Sequence, residues 1–581
     1  MGNTWWVLLE ATAETMVAVP RRFEAGNLYE SQMEIPGATV RGAFAALYLN
    51  LGNPVGDSFR ELFESPSVRF GPLRPLPVRI GVPEGAPVFP VPRSSRSCKY
   101  DDGLPESGHG VLDMLLEVAK AERTKEEILC SRCGAPIEPL EKPWLISSWE
   151  DNFEKGFGID YKPDFRLSTH VGIGAVGTAE MGVAMEGRLF SLQCFPQGTK
   201  FRGWIAFSAG NNTEDVGKFL GKLGLKQKNK NEWLLPFHLR VGRRSSTLGA
   251  LQVSALVSDK PPWQLTHGKL EQRWEFFQKR FWQRLSLEEL KLRGGKKEFS
   301  DCWVFSVTCL TETILLDNFL RPYRILTVEE VGKRLGISPD AIELLAVFAR
   351  PQVIRGWNTA HRLPKEQDLA IAAGSVFLFC VRRGSIEECQ LLRKLQEWEE
   401  QGIGWRRSEG FGQVLICDPW HLRTMLEEEI PLSHRRSLGS EDLKPGNLDE
   451  GIVCFVKNYA DRLNALTNTQ LERLKSRALL LESIRKANPN FNACKELEKY
   501  LRHQEERRIG GWGVLIQQNQ QNQTLAGALI NVLGVVECDW EKVLKRVEDF
   551  VRLMLVLKSS KDPDFNLNRW LERGEKKDAS D

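Results

Sequence analysis

The chain has 581 residues, with 79 Lys+Arg against 76 Asp+Glu for a formal net charge of +3, and 42% of it is hydrophobic. That balance excludes a uniformly cationic binder of the histone kind, but not a local basic track, because affinity for a polyanion depends on where the charges lie. At this length several domains are expected rather than one core, and the longest apolar run, Leu369 to Val381 with 13 residues, is too short to cross a bilayer.

Taken in chain order, Trp5 to Val17 mixes β-branched and aromatic residues with polar ones and predicts an opening strand. Glu10 and Glu14 within it do not fit a secretory leader. The next segment, Pro20 to Glu34, carries Glu24, Glu30 and Glu34 but no Asp. Ile35-Pro36-Gly37-Ala38-Thr39-Val40-Arg41-Gly42-Ala43-Phe44 then predicts a turn, a cap at Thr39, and a helix with Val40, Phe44, Leu47 and Leu51 on one face. Arg41 and Gly42 in its first turn are candidates to meet a phosphate. The apolar stripe alone would equally suit an ordinary capped core helix.

The stretch from Pro92 to Pro143 contains Cys98, His109 and the knuckle Cys130-Ser131-Arg132-Cys133-Gly134. Two thiolates at Cys-x-x-Cys spacing bind one ion while the glycine relieves the turn, so a structural Zn²⁺ is expected on Cys130, Cys133, Cys98 and His109. Such an ion would staple an insertion too small to fold alone. The other cysteines among the 12 are scattered, which points to a reducing cytoplasm. Further on, Asp160 and Asp164 are open polar candidates, and His170, Lys200 and Arg202 are possible contacts to an anionic polymer, with His170 alternatively a general base. For His170 a structural histidine is the plainer expectation.

Gly242-Arg243-Arg244-Ser245-Ser246-Thr247-Leu248-Gly249 precedes a strand-like run, Leu251 to Leu256. From Gln272 to Leu292 an amphipathic helix carries Trp274, Phe277, Phe281, Trp282 and Leu285 near one side and ends in the basic loop Arg293 to Lys297. Trp303 to Leu315 then repeats the character of Trp5 to Val17, including its Glu-Thr-apolar-apolar ending. Arg406-Arg407-Ser408-Glu409-Gly410-Phe411-Gly412 aligns without gaps on Arg243 to Gly249, with Gly404 upstream and a strand, Val414 to Ile416, following. Glycine permits close approach and paired arginines donate to phosphate, so the two loops predict polyanion contact. One such loop alone would read as a tight turn whose arginines pair with nearby carboxylates. Two copies at matching places favour duplication of one domain type.

These residues together resemble the RAMP superfamily of CRISPR effector subunits, which pairs a Pro-Gly-Ser/Thr-x-x-Arg/Lys-Gly helix entrance with a terminal glycine-rich loop. Gly177 to Glu180, Gly198 to Gly203, Gly356-Trp357-Asn358 with Leu363-Pro364-Lys365, and Gly374-Ser375-Val376 narrow the likeness to the two-domain Csx-type subunit (the tenth Csx family) of type III-D complexes. The likeness covers residues 1 to 425. It implies an α+β chain: two ferredoxin-like (RRM-like, βαββαβ) RAMP domains at 1–260 and 301–425, the first with its zinc-binding insertion at 92–143. A helical linker at 261–300 and a helical region at 426–581 complete the expected order.

The resemblance further implies a cytoplasmic, guide-RNA-binding subunit near the 5′ end of the guide. Its partners would be the large polymerase-cyclase subunit and the repeated backbone subunits, with no membrane. The RNA-contact set would be Arg41, Gly42, Gly242, Arg243, Arg244, Gly249, Gly404, Arg406, Arg407, Gly410 and Gly412. Catalytic backbone subunits cut target RNA with an aspartate in the segment that here is Pro20 to Glu34, so the departure argues for a binding rather than a catalytic subunit. The rival is a metal-independent endoribonuclease trimming the guide precursor on the same fold. From His238 to Ser300 there are 13 Lys+Arg against 6 Asp+Glu, a local +7 that exceeds the charge of the whole chain. The remainder, Met425 onward, predicts charged helices, including Cys494 to Arg508 and Trp540 to Leu557, with a loop at Gln517 to Gln523.

Overall fold

The computed structural model describes residues 3–21, 27–77, 82, 85–99, 102–104, 110–120, 136–149, 153, 156–173, 184–209, 213–229, 231–292, 301–358, 361, 363–422, 448–463 and, with interruptions, 466–559. Two compact units divide the chain, one of residues 1–127 with 137–425, the other of 128–136 with 426–581.

The first half of the larger unit is built from β1 (Asn3–Ala13), α1 (Gly37–Asn50), β2 (Val68–Phe70), β3 (Lys200–Ala209), α2 (Thr213–Lys222) and β4 (Ala250–Ser258). The second half begins with α3 (Leu270–Arg284) and continues through β5 (Cys302–Cys309), α4 (Val328–Leu335), β6 (Ile342–Phe348), β7 (Val376–Arg382), α5 (Glu388–Gln401) and β8 (Val414–Ile416). In the first half β1 pairs antiparallel with β3 and β4, and β3 pairs with β2. In the second, β5 pairs antiparallel with β7 and β8, and β7 pairs with β6. Numbering the four named strands of each half in chain order, both run 4-1-3-2, within an eight-stranded sheet in the first half and as a four-stranded sheet in the second.

The register aligns the two copies. Ala13 faces Leu251 two residues after Gly249, and Cys309 faces Val414 two residues after Gly412. Ala13 therefore corresponds to Cys309, whereas the similarity of Glu14 to Glu312 in sequence is offset from this by two. A slip of two preserves which face each side chain occupies, so the alternation still assigns burial correctly. Val7, Leu9, Ala11 and Ala13 are buried with α1 in the first core, and Phe305, Val307 and Cys309 are buried in the second.

Two helices depart from expectation. The helix foreseen as a linker, Gln272 to Leu292, runs from Leu270 to Arg284 and is core of the second half: Trp274, Phe277 and Phe281 are buried there, while Trp282 is half-buried. Arg273 on this helix is fully buried. Its Nη2 donates to both carboxylate oxygens of Glu399 on α5, at 2.9 and 2.8 Å, and its Nη1 to the Ile416 carbonyl at 3.0 Å. One guanidinium nitrogen shared between both carboxylate oxygens keeps the two buried charges paired, while the buried Nε has no hydrogen-bond partner among the described residues.

Helix α1 starts at Gly37 with Pro36 as its N-cap and no side-chain cap, so Thr39 lies inside the first turn. The small residue is required by what passes its entrance. A Cβ on Gly37 would lie 2.0 Å from the Phe70 carbonyl oxygen and 2.4 Å from that of Glu409 in the second half.

The smaller unit has its own core, with Ile452, Phe455, Leu497, Leu501, Trp512, Leu529, Val543, Val547 and Phe550 among its buried residues. Its described helices include Glu450–Leu463, Ala493–Glu506, Leu525–Leu533 and Trp540–Ser559. The expected loop at Gln517 to Gln523 is instead part of a hairpin, Leu515–Gln518 against Gln521–Thr524, with Ile516 buried and Leu515 exposed. Alternation of one aliphatic in and one out is the strand signal that the glutamines obscured. Among the described residues no helix is long and apolar enough to cross a membrane.

Gly37→Ala should lower the stability of the larger unit by about 1–3 kcal/mol through overpacking. Gly42→Ala, whose added Cβ meets nothing within 4 Å, should be neutral or stabilising in the same thermal-unfolding measurement.

Candidate nucleic-acid interface

The two glycine and arginine loops superpose through backbone hydrogen bonds. Arg243 N–H donates to the Ala18 carbonyl at 2.8 Å and Trp405 N–H to the Ile314 carbonyl at 2.9 Å. Gly249 N–H donates to the Met16 carbonyl and Gly412 N–H to that of Glu312, each at 2.8 Å. Gly242 and Gly404 have positive φ, and a Cβ on either would collide with the carbonyl just named, Ala18 or Ile314. Arg244 and Arg406 both adopt left-handed conformations, with φ of 58° and 55°. The corresponding pairs are therefore Gly242 with Gly404, Arg243 with Trp405, and Arg244 with Arg406. The gapless alignment is one residue out at this end, because the second loop is one residue longer.

The loops differ in what surrounds their cations. Beside the first loop a small sheet forms from Arg166–Ile173, Ala184–Cys194 and Leu28–Tyr29. Its alternation places Tyr29, His170 and Phe190 on one face and the exposed Leu28, Leu167, Val171 and Leu189 on the other. Arg243 lies over the Tyr29 ring at 4.2 Å and Arg244 over Phe190 at 5.3 Å. His170 stacks on Phe190 at 5.4 Å, and its Nε2 is 3.0 Å from the Ser168 hydroxyl. Burial, and after it the Arg244 charge, lowers the His170 pKa below its usual value. Among the described residues neither Arg243 nor Arg244 makes an ion pair, and Arg243 Nη1 is buried with no hydrogen-bond partner. Aromatic faces hold the guanidinium planes in place while leaving their N–H groups free to donate.

The second loop is neutralised. Arg406 donates to Asp368 at 2.5 Å and to Glu409 at 2.7 Å. Glu409 also accepts from Arg41 at 3.1 Å and Lys365 at 3.0 Å. Burial opposes its charge, yet these cations hold the Glu409 carboxyl below its ordinary range. Arg407 donates to the Gln401 carbonyl at 3.1 Å. A Cβ on Gly410 would lie 2.3 Å from the Phe70 carbonyl oxygen, so this loop is packed against β2 of the first half. Here the arrangement is the one expected of a single loop, arginines paired with local carboxylates, and it engages Arg41 as well. Trp405, at the place of Arg243, is 55% exposed.

The remaining candidates scatter. Gly42 is exposed on α1, and Lys200 is exposed at the start of β3. Arg202 donates to the Ala86 carbonyl at 3.0 Å and pairs with Glu10 at 3.3 Å. Asp160 is buried and paired with Lys142 at 2.9 Å, while Asp164 is exposed. Cys98 is buried at the end of the strand Ser95–Cys98; His109, Cys130 and Cys133 lie outside the described residues. Among the described residues no group of three or more ligating side chains is assembled for a metal. Tyr29 and Phe190, which position both arginines, are not marked by any motif. Tyr29 lies in the Pro20 to Glu34 segment far from the first loop in sequence, and Phe190 is 53 residues from Arg243, so no local spacing points to either.

Comparison with known proteins follows the same division. Residues 298–419, the second half without α3, match the family described as CRISPR-associated protein (Cas_Cmr3). No curated protein matches the chain in sequence. One similar solved structure is a chain of the type III-B Cmr-beta complex bound to cognate target RNA and AMPPnP, state 1. It is 10% identical, with 68% of this chain and 94% of that chain covered and a TM-score of 0.26. Another is a chain of Cmr-beta bound to cognate target RNA, 11% identical over the same shares with a TM-score of 0.27. The family match thus likens the second half of the larger unit to a CRISPR-associated protein (Cas_Cmr3).

The His170 imidazole should be neutral at pH 7 and titrate below its usual value, as followed by NMR of histidine-labelled protein. Arg244→Gln should move that titration upward by removing the neighbouring positive charge.

Proposed function

We propose that the chain is a guide-RNA-binding structural subunit of a type III CRISPR effector complex, built on two ferredoxin-like RAMP domains. The observation that carries this reading is the first loop, where Arg243 and Arg244 lie on Tyr29 and Phe190 with no carboxylate partner among the described residues and a buried guanidinium N–H left free. Such groups stabilise a phosphate and cost free energy without one. The common 4-1-3-2 strand order supports the ferredoxin-like assignment of both halves. Membership of the two-domain Csx-type subunits of type III-D, a place near the guide's 5′ end, and partnership with the large polymerase-cyclase and backbone subunits in the cytoplasm extend this reading.

The test is guide-RNA binding by the full chain across a salt series. Arg243→Ala with Arg244→Ala should weaken binding and flatten the salt slope by about 0.7 for each phosphate no longer neutralised. Arg406→Ala with Arg407→Ala should change the slope less, because carboxylates already neutralise Arg406. If neither pair changes affinity, RNA binding through these loops is wrong.

His170, neutral and beside Arg244, keeps a second reading in play, a metal-independent endoribonuclease acting on the guide precursor. Specific cleavage of repeat RNA that His170→Ala abolishes would replace the scaffold reading.

The zinc site is also proposed, as a structural one. Cys98 pairs with Ile137 and Ser97 with Val111. Purified protein never exposed to chelator should carry about one zinc per chain by elemental analysis, and Cys130→Ser with Cys133→Ser should remove it.

A further inference from the structure

Beyond phosphate contact at the loops, the opposite face of the first sheet contains a cavity of about 250 Å³. Val7, Leu9 and Ala11 of β1 point toward α1, so Leu8 and Glu10 point the other way. Cross-strand pairing sets Leu8 beside Trp204 and Leu256, and Glu10 beside Arg202 and Ser254. These two rows floor the cavity. Its walls come from Phe89, from Trp263 and from Leu310 and Thr311 of the second half. Gly71 leaves room for the Trp204 ring, since a Cβ there would lie 2.4 Å from it.

Three features define what would fit. Trp204, Trp263 and Phe89 supply flat apolar walls. Trp263 is 1% exposed, and its indole Nε1–H, buried, has no hydrogen-bond partner. A buried donor of this kind calls for an acceptor. At the mouth, Glu10 has a side chain 42% exposed and accepts from Arg202, leaving acceptor capacity over. The required ligand is therefore flat, smaller than a drug-sized molecule, and carries an acceptor edge toward Trp263 and a donor edge toward Glu10. Arg74 and Arg202 also line the cavity, and each is paired with a carboxylate, Glu34 and Glu10.

We propose that this cavity takes a single nucleobase, with a ring nitrogen or carbonyl accepting from Trp263 Nε1 and an amino or imino group donating to Glu10. The base is supplied either by a free nucleoside or by an unstacked nucleotide of a bound RNA, and the two sources are separable. Nothing in this assignment needs the Arg243 and Arg244 loop.

The test measures binding of adenosine, guanosine, cytidine and uridine, and of a single-stranded RNA, to the full chain by calorimetry and tryptophan fluorescence. Trp263→Phe keeps an aromatic ring, though a smaller one, and removes the donor, and Glu10→Gln sits at the solvent edge where folding is least at risk. Ser254→Phe fills the floor. Saturable binding of one nucleoside, weakened about tenfold by Trp263→Phe and abolished by Ser254→Phe, supports the free-ligand source. RNA affinity reduced by the same variants at unchanged salt slope, with no nucleoside bound, supports the chain source. RNA binding that depends on Arg243 and Arg244 but ignores all three cavity variants overturns the base site and leaves the proposed function standing. Nucleoside binding without any RNA binding does the reverse. Binding of neither, or saturation of the cavity only by a peptide side chain from another subunit, overturns the base site.

Discussion

Two arginines of the first half, Arg69 and Arg74, are withdrawn from water and a third, Arg41, is half-buried, and the larger unit is arranged around their need for acceptors. Arg69 on β2 donates through Nη1 to Gln413 at 3.1 Å and through Nη2 to the Glu400 carbonyl, both in the second half. Its guanidinium also lies over Trp6 at 5.2 Å and Trp204 at 5.8 Å. Burial, helped by Arg407, pulls its pKa down to about 9, so the charge persists at neutral pH at a desolvation cost that only well-placed oxygens offset. Arg74 divides its donors between Glu34, the Val88 carbonyl and the Leu310 carbonyl of the second half. Arg41 reaches Glu409. Each satisfies a carbonyl or carboxylate where the two halves meet. Together they explain why the second loop is neutral: its charges are part of this contact.

The same contact determines the glycines. A Cβ on Gly37, Gly410 or Gly374 would strike a main-chain oxygen of the opposite half, that of Phe70 or Glu409 in the first two cases and of Val91 in the third. Arg93 N–H donates to the Gly374 carbonyl at 2.8 Å at that third point. The motif glycines that suggested a ligand-binding family thus permit backbone to meet backbone. Of the two equivalent loops, the second is committed to the contact between the halves, and the first has no ion pair for Arg243 or Arg244 among the described residues.

A buried polar network ties the segment after Pro92 to the end of the second half. His421 lies 3.1 Å from Asp113 through Nδ1 and 2.8 Å from the Thr308 hydroxyl through Nε2, and Trp420 donates to Ser95 at 2.9 Å. Burial resists charging His421, but Asp113 and Asp418 raise its pKa above the usual value. His267 behaves oppositely. Burial and Arg273 depress it to about 3, so its 3.8 Å approach to Asp418 is that of a neutral ring. Two buried histidines in one network are thus distinguished by partners, and the one whose pKa is raised lies with a ring nitrogen at hydrogen-bond distance from a carboxylate.

How much of this is legible in the sequence follows from the range of each interaction. Strands and helices repeat with periods of 2 and 3.6, so the duplicated elements, their order and the helical character of the C-terminal unit can be read from spacing. Gly242 with Arg244, and Gly404 with Arg406, stand out because a turn is local. What stays hidden is separated in sequence: Arg273 with Glu399, Arg41 with Glu409, Arg243 with Tyr29. A guanidinium reads the same in sequence whether it meets a carboxylate, an indole face or water, and only the tertiary neighbour decides its electrostatic role. The +7 excess between His238 and Ser300 illustrates the point. Arg273 within it is fully buried on Glu399 and contributes nothing to an external field, whereas Arg243 and Arg244 lie at the surface over aromatic rings. A basic stretch in sequence is therefore an upper bound on a basic surface, and here the bound is met at the first loop because aromatic side chains, which carry no charge to cancel it, hold its arginines.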